Sequence, residues 1–360
     1  MALLLRDRCW FVSLAVVCRT LLAATFVVSG FLKAIDPWGT IFVLENYLVA
    51  YNIALPEWMV LAASLLLCGV ELAIGGLLLL KAQIRVISVV ALVTMVFFTI
   101  LTLLSATFVP VEDCGCFGEA VKLTPWQTFA KNVALLPMAV CVWYYYRTEP
   151  LFDRTKWANG AMAVVLILAF GLGIYSYRHL PMIDFLPYKV GTNITEEMDA
   201  ALSKPSAEKV VLIYRNRTTG ELREFAVEDS EWQNEDLWEW VDTRTEGTTT
   251  EYEATVLEFQ ISDFEGNDRT AEILAMPKAY LLFCEQTTLD EDVRERFRAV
   301  EQYALKNGGE VIYITSSEPL PSWHTMDAKT MKTILRAKYG VVVLEQGTIT
   351  AKYNYRDISY

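Results

Sequence analysis

The chain predicts a membrane-embedded α-helical bundle followed by a soluble α/β domain. Three observations predict it. The first half is nearly continuous apolar sequence, and the whole chain of 360 residues is 54% hydrophobic. The second half, from about Arg178, has ordinary soluble composition and carries most of the net charge of -12, with Glu228, Asp229, Glu231, Glu235, Asp236 and Glu239 clustered. From Glu258 onward, short apolar runs alternate with a charged, helix-length segment. An acidic outer half argues against nucleic acid as a partner and against charge-driven docking on anionic lipid.

Five spans are expected, at Cys9–Leu32, Glu57–Leu80, Ile84–Val109, Trp126–Tyr146 and Gly160–Tyr177. Each holds roughly 18–26 mostly apolar residues, enough to cross a core of about 30 Å at about 1.5 Å per residue. Arg6 and Arg8 before the first run resemble a signal peptide, but the run is long and has no clear small-x-small site. Pro37 and Gly39 break the helix after it, and the amphipathic stretch from Ile41 to Tyr51 can lie in the interface. Four segments follow: a four-span domain at 1–150, a fifth span at 151–180, a small strand-containing region at 181–257, and an α/β domain at 258–360.

Basic residues set the expected orientation. Arg6, Arg8, Lys81, Arg85, Arg147, Arg154 and Lys156 gather on one side, and only Lys33 and Lys122 fall in the short loops of the other. The N-terminus is then cytoplasmic. The loop between spans three and four and the C-terminal domain lie outside, in the periplasm of a bacterial inner membrane. Within the spans, Arg19 and Glu71 are counted to similar depth and are expected to pair, because a lone intramembrane charge is costly. The pair can fix helix register or relay protons. Lys131, about one and a half turns into span four, would lie beneath the outer loop. It can favour the thiolate of a nearby cysteine or snorkel to the headgroups. Asn132 beside it can hydrogen-bond across helices.

That outer loop contains Asp113-Cys114-Gly115-Cys116-Phe117, the densest chemistry in the chain. Two cysteines one residue apart can be a redox pair, half of a metal site completed by a partner, or a structural turn. Structural zinc needs four ligands, and the two histidines, His179 and His324, are remote in sequence, so no metal is expected here. A disulfide between such close cysteines closes a small, strained ring and is relatively oxidising, and Gly115 relaxes its backbone demand. Cys9, Cys18, Cys68 and Cys141 lie in or beside apolar stretches and read as small packing residues.

With Ser29-Gly30-Phe31-Leu32-Lys33-Ala34, Asp36-Pro37-Trp38-Gly39-Thr40, Glu71-Leu72-Ala73-Ile74-Gly75, Cys114-Gly115-Cys116-Phe117-Gly118 and Leu123-Thr124-Pro125-Trp126-Gln127, residues 10–150 resemble the DoxX/MauE-like membrane family. The resemblance implies a four-helix bundle. It also implies a link to quinone-coupled oxidation or to maturation of disulfide-rich proteins. The bundle is similar to DsbB and vitamin K epoxide reductase enzymes. Those carry a CxxC and a second cysteine pair, whereas the outer loops here hold only the CxC.

In the soluble half, Lys209–Arg215 and Glu221–Phe225 around Thr219-Gly220 read as a hairpin. Trp232, Trp238 and Trp240 read as packing residues. A strand at Ala279–Cys284, a helix at Leu289–Lys306, a strand at Glu310–Thr315, a helix at Asp327–Arg336 and a hairpin at Gly340–Leu344 and Thr348–Lys352 follow in turn. This order resembles a thioredoxin-like domain. A thioredoxin enzyme carries CxxC after its first central strand. Here the sequence is Cys284-Glu285-Gln286-Thr287, and Tyr339-Gly340 stands where a cis-proline normally enters the hairpin. Cys284 is expected to be buried, with a single reactive thiol as the alternative. His324 lies in a loop without an evident acid or nucleophile nearby in sequence.

The function expected from these readings is envelope thiol–disulfide or quinone-linked redox chemistry. Cys114 and Cys116 form the working pair, Lys131 tunes them, and a membrane quinone is the conceivable cofactor. The outer domain recruits a protein partner or thiol client, and the spans contact membrane lipid. The alternative is a non-enzymatic scaffold for envelope protein maturation, with CGC as a structural turn.

Overall fold

The computed structural model describes residues 9–108, 115, 118, 123–203, 209–217, 222–226, 229, 231–234, 237–246 and 255–359. It divides into two compact units, Met1–Phe185 and Leu186–Tyr360.

The first unit is helical. Its helices are α1 (Cys9–Ile35), α2 (Pro37–Ala50), α3 (Glu57–Leu80), α4 (Ile84–Thr107), α5 (Pro125–Tyr146) and α6 (Lys156–Arg178). All five expected spans are helices. Four of them, α1, α3, α4 and α6, are long and apolar enough to cross a membrane, so this is a multi-pass membrane protein. α5 has the length but is diluted by Lys131, Asn132 and the run Tyr144–Tyr146. It packs in the same bundle, where Ala139, Val142 and Tyr146 join Leu22, Phe26, Ile74 and Met95 in one apolar core.

Local sequence sets the helix ends. Asp36 accepts a hydrogen bond from the Gly39 N–H at 3.0 Å, and Pro37 occupies the first turn, so the chain stops α1 and restarts as α2. Thr124 and Gln127 form a reciprocal capping box at the start of α5. Lys81 and Gln83 adopt left-handed conformations in the turn between α3 and α4. The buried Gln83 side chain bonds the backbone of Asp153 on both its N–H and its carbonyl, which ties that turn to the approach of α6.

Two glycines let α1 and α3 approach closely. A Cβ on Gly30 would strike the backbone of Leu72, and one on Gly75 would strike the backbone of Val27. Small residues allow such close approach of helix backbones in membranes. The contact fixes the register that places Ser29 and Lys33 against Glu71.

The second unit begins with α7 (Ile194–Ser203). Three strands, β1 (Lys209–Asn216), β2 (Leu222–Ala226) and β3 (Trp238–Glu246), form an antiparallel sheet in the order β2-β1-β3. The first two are the expected hairpin. β3 contains Trp238 and Trp240, which as isolated tryptophans did not read as a strand. Next come α8 (Thr270–Leu274), β4 (Ala279–Cys284), α9 (Glu291–Lys306), β5 (Glu310–Thr315), β6 (His324–Thr325), α10 (Ala328–Ile334), β7 (Tyr339–Glu345) and β8 (Thr348–Asn354). The five strands order as β6-β5-β4-β7-β8, with β4, β5 and β6 parallel and β7 and β8 antiparallel. The strand–helix–strand, helix, hairpin order is the expected one. Every residue of β4 is buried, as a central strand requires. α9 lays Val293, Phe297, Val300 and Ala304 on the sheet at helical spacing. Gln346 and Gly347, both at positive φ, make the tight turn between β7 and β8.

Candidate functional site

The centre of the helical unit holds a buried ionic cluster. Lys33 Nζ lies 2.5 Å from Glu71 Oε1, and Ser29 Oγ donates to Glu71 Oε2 at 2.6 Å. Lys33 is 4% exposed and Glu71 1%. Ser29 and Lys33 sit four residues apart on one face of α1, so both reach the same carboxylate. A charge this deep in an apolar bundle requires an opposite charge and hydrogen bonds, and both are present.

Arg19 is not the partner of Glu71. Its Nη1 donates to the carbonyls of Leu78 and Leu79 at 2.8 and 3.4 Å, capping the last turn of α3. A cation suits the unpaired carbonyls at a helix C-terminus. Glu71 lies seven residues earlier, about 10 Å along the axis. Equal counting from helix ends fails because the ends of α1 and α3 are not flush. Lys33 is the residue that sequence reasoning missed as the partner, because it was placed in a loop after Leu32. α1 instead runs on to Ile35, and the Asp36-Pro37 signal marks its true end.

Lys131 is half-buried. It lines a small cavity of about 30 Å³ together with Ser29, Lys33, Glu71 and Asn132. Asn132 makes the expected interhelical contact: its Nδ2 donates to Thr102 Oγ1 at 3.2 Å and to the Phe98 carbonyl at 3.3 Å.

Cys114 and Cys116 lie outside the described residues, and so do Asp113 and Phe117. The two glycines of the motif are described. Gly115 is buried at φ 63°, and Gly118, at φ 56°, donates its N–H to the Gly115 carbonyl at 3.2 Å. A Cβ on Gly115 would strike Val43 of α2, and one on Gly118 would touch the Leu32 carbonyl. These two glycines are therefore seated beside the end of α1 and the first half of α2. Both glycines are needed for the left-handed backbone, and Gly115 also for the space.

Beside Gly115 is a second, larger pocket of about 240 Å³ between α2, α3 and α4. Its walls are almost entirely apolar. Tyr47 and Tyr51 line one side with near-parallel rings, their centroids 6.5 Å apart and their planes 6° apart. Phe97 and Phe98 line another, and Lys33 closes the polar end with its ammonium 5.4 Å from the Phe98 ring centre. Lys33 thus borders both cavities. Nothing in the isolated sequence signals this pocket, because its residues come from four helices, α1 through Lys33 included.

The other cysteines read as expected where they are described. Cys18 and Cys68 are buried in the bundle, and Cys68 Sγ lies 3.4 Å from the Lys33 carbonyl. Cys284 is wholly buried at the end of β4, and burial pushes its thiol far above the ordinary value. His324, on the edge strand β6, has a buried Nδ1 with no hydrogen-bond partner, and burial holds its pKa below the usual imidazole value. Among the described residues, no group of three or more His, Cys, Asp or Glu gathers to hold a metal ion.

Residues 11–145 match the family model of the methylamine utilisation protein MauE. The chain is also similar to Protein TlpB of Flavobacterium psychrophilum, 29% identical over 184 residues, or 49% of this chain. The match covers 45% of that protein, less than half its length. No solved structure matches.

Proposed function

We propose that this chain, a multi-pass membrane protein with a MauE domain, carries out thiol–disulfide chemistry on the outer face of a bacterial inner membrane. Cys114 and Cys116 are the working pair, and a membrane quinone receives their electrons. The N-terminus lies in the cytoplasm and the C-terminal unit in the periplasm, as the basic residues at Lys81, Arg85, Arg147, Arg154 and Lys156 favour. The observation that carries the reading is the seating of Gly115, the residue between the cysteines. It is packed on α2 and lines the pocket closed by Lys33. A loop needed only as a linker would have no reason to be anchored at its cysteine-flanked glycine.

The C-terminal unit, with its sheet core in the order β5-β4-β7-β8, serves as a thioredoxin-like recruiting domain without a dithiol of its own. Where a thioredoxin carries its active pair, Cys284 is single, buried and protonated, so this unit binds clients and leaves the exchange to the loop.

The test is thiol trapping in membranes. Cys114 and Cys116 are expected to shift between alkylated and protected states on reduction and re-oxidation, and a Cys116→Ser strain is expected to accumulate mixed disulfides through Cys114. A pair that never changes state, together with full function in the Cys114→Ser/Cys116→Ser variant, would establish the motif as a structural turn in a scaffold.

A further inference from the structure

The geometry points to Cys18 of α1 and Cys141 of α5 as a binding site, inside the bundle, for a soft monovalent metal ion of the copper(I) class. The site is separate from the outer loop and from the Lys33–Glu71 cluster. It stands or falls independently of the function proposed above.

Two thiols far apart in sequence meet here. Cys18 is buried, Cys141 packs against the same apolar cluster, and the Cys141 thiol is hydrogen-bonded to Cys18. Neither is in a disulfide. Packing between two helices asks for small apolar side chains; it does not ask for sulfur on both of them.

Three features favour a soft monovalent ion over the other uses of a cysteine pair. First, the donor set is too small for structural zinc, which takes four ligands. Among the described residues no His, Cys, Asp or Glu joins these two to make a larger group. A filled-shell monovalent ion is content with two thiolates, and thiolate and thioether ligands select copper(I). Second, thioethers are at hand. Met138 stands three residues before Cys141, on the same side of α5, and packs against the same cluster, to which the buried Met95 of α4 belongs.

Third, the charge is complementary. Arg19 adjoins Cys18 and acts electrostatically on Tyr146, in the turn after Cys141. Among the described residues its hydrogen bonds go only to the Leu78 and Leu79 carbonyls, and its buried Nε has no partner. A charge within a membrane span normally pairs with another charge. The ion enters with one positive charge and displaces both thiol protons, which leave to water. Two sulfur–metal bonds replace two S–H bonds, and no electron is transferred. The resulting bis-thiolate complex carries one negative charge, which Arg19 neutralises. A disulfide would need an oxidant in the centre of the bundle and would leave Arg19 as uncompensated as before.

The test uses the full-length Cys114→Ser/Cys116→Ser protein in detergent, reduced and kept anaerobic, so that the loop thiols supply no site. Titration with copper(I) against the chelator bicinchoninate is expected to show one ion per chain, and X-ray absorption to show sulfur-only ligation. Losing a ligand should cost more than losing a group behind one, so Cys18→Ala and Cys141→Ala should each weaken binding by about a hundredfold or more. Cys68→Ala, which removes a buried thiol elsewhere in the bundle, should bind as tightly as the starting protein. Should either ligand variant fold poorly, protection decides the matter without it. Alkylation of Cys141 by N-ethylmaleimide, mapped by mass spectrometry, should slow about tenfold with one equivalent of copper(I) and stay unchanged with zinc(II). No stoichiometric binding, or binding that both alanine variants keep, overturns the site. Zinc(II) held as tightly overturns the class of ion. A Cys18–Cys141 disulfide in membranes quenched with the alkylating reagent overturns the metal site and makes the pair a covalent link between α1 and α5.

Discussion

The two units of this chain solve the placement of charge in opposite ways. The helical unit exposes Val93, Phe97, Ile167 and Leu168 and buries Lys33 against Glu71. The second unit buries Phe283, Phe297 and Val341 and spreads its ion pairs over the surface, as with Arg294 and Glu291, whose side chains are 46% and 64% exposed. The same two kinds of side chain thus have opposite energetic weight. In water, an exposed pair is screened and replaceable. Inside an apolar bundle, each charge depends on its partner, so a pair becomes a fixed point around which a site can be built.

The largest effect that could break this contrast is at Glu71. Glu71→Leu leaves Lys33 buried without its carboxylate and should cost about 3–5 kcal/mol. Thermal unfolding of the purified protein would register it, and Lys33→Met combined with Glu71→Leu should recover much of the loss. Arg19→Leu combined with Glu71→Leu should show no such recovery, because Arg19 caps α3 instead.

A comparable loss in the second unit must come from its apolar core. Phe297→Ala, which empties a fully buried position on α9, should cost about 3–5 kcal/mol, read by denaturant unfolding followed through tryptophan fluorescence. Next in size is Gly30→Leu, which forces α1 away from the backbone of α3 and should destabilise the bundle by about 1–3 kcal/mol. A loss of melting temperature without change in the second unit's hydrogen exchange would confirm where it acts.

Acid should separate the units further. Burial holds His324 below its ordinary value near 6.5, so the unfolded chain takes the proton more readily and folding is favoured above that pH. That contribution is lost as pH falls through about 6.5 and below. Hydrogen exchange around β6 should quicken there, and His324→Gln should flatten the response. The smallest effect is expected at Arg294→Ala, which removes an exposed pair and should cost less than about 0.5 kcal/mol. A larger value in an equilibrium unfolding curve would mean that the surface pairs of this unit act as a network.

Much of the architecture was legible because it rests on local signals. Apolar length marked five of the six helices of the first unit, and alternation with a charged helix marked the strands from Ala279 onward. Gln346-Gly347 marked the last hairpin. β3 was missed because Trp238 and Trp240, set among acidic residues in Glu235-Asp236-Leu237-Trp238-Glu239-Trp240-Val241-Asp242, read as packing residues. The site was legible only in part. Gly115 and the cysteines stand out as a motif, but the partner of Glu71 did not. Pairing Glu71 with Arg19 assumed flush helix ends, whereas the true register is set by Gly30 and Gly75, residues whose role is visible only when two backbones meet. The pocket is assembled from four helices, and no periodicity within any one of them encodes it.

The Lys33–Glu71 pair also bears on how the chain enters a membrane during synthesis. The two residues are 38 positions apart, on α1 and α3, which emerge with α2 between them. Alone near the bilayer centre, either charge carries an insertion cost of about 2.5–3.5 kcal/mol. Until Glu71 has been made, Lys33 gains by staying near the headgroups at the end of α1. The first membrane helix therefore gains its full depth only with the third helix of the chain, and the two settle as a couple. A ribosome paused between them would expose Lys33 to aqueous reagents that the finished protein excludes.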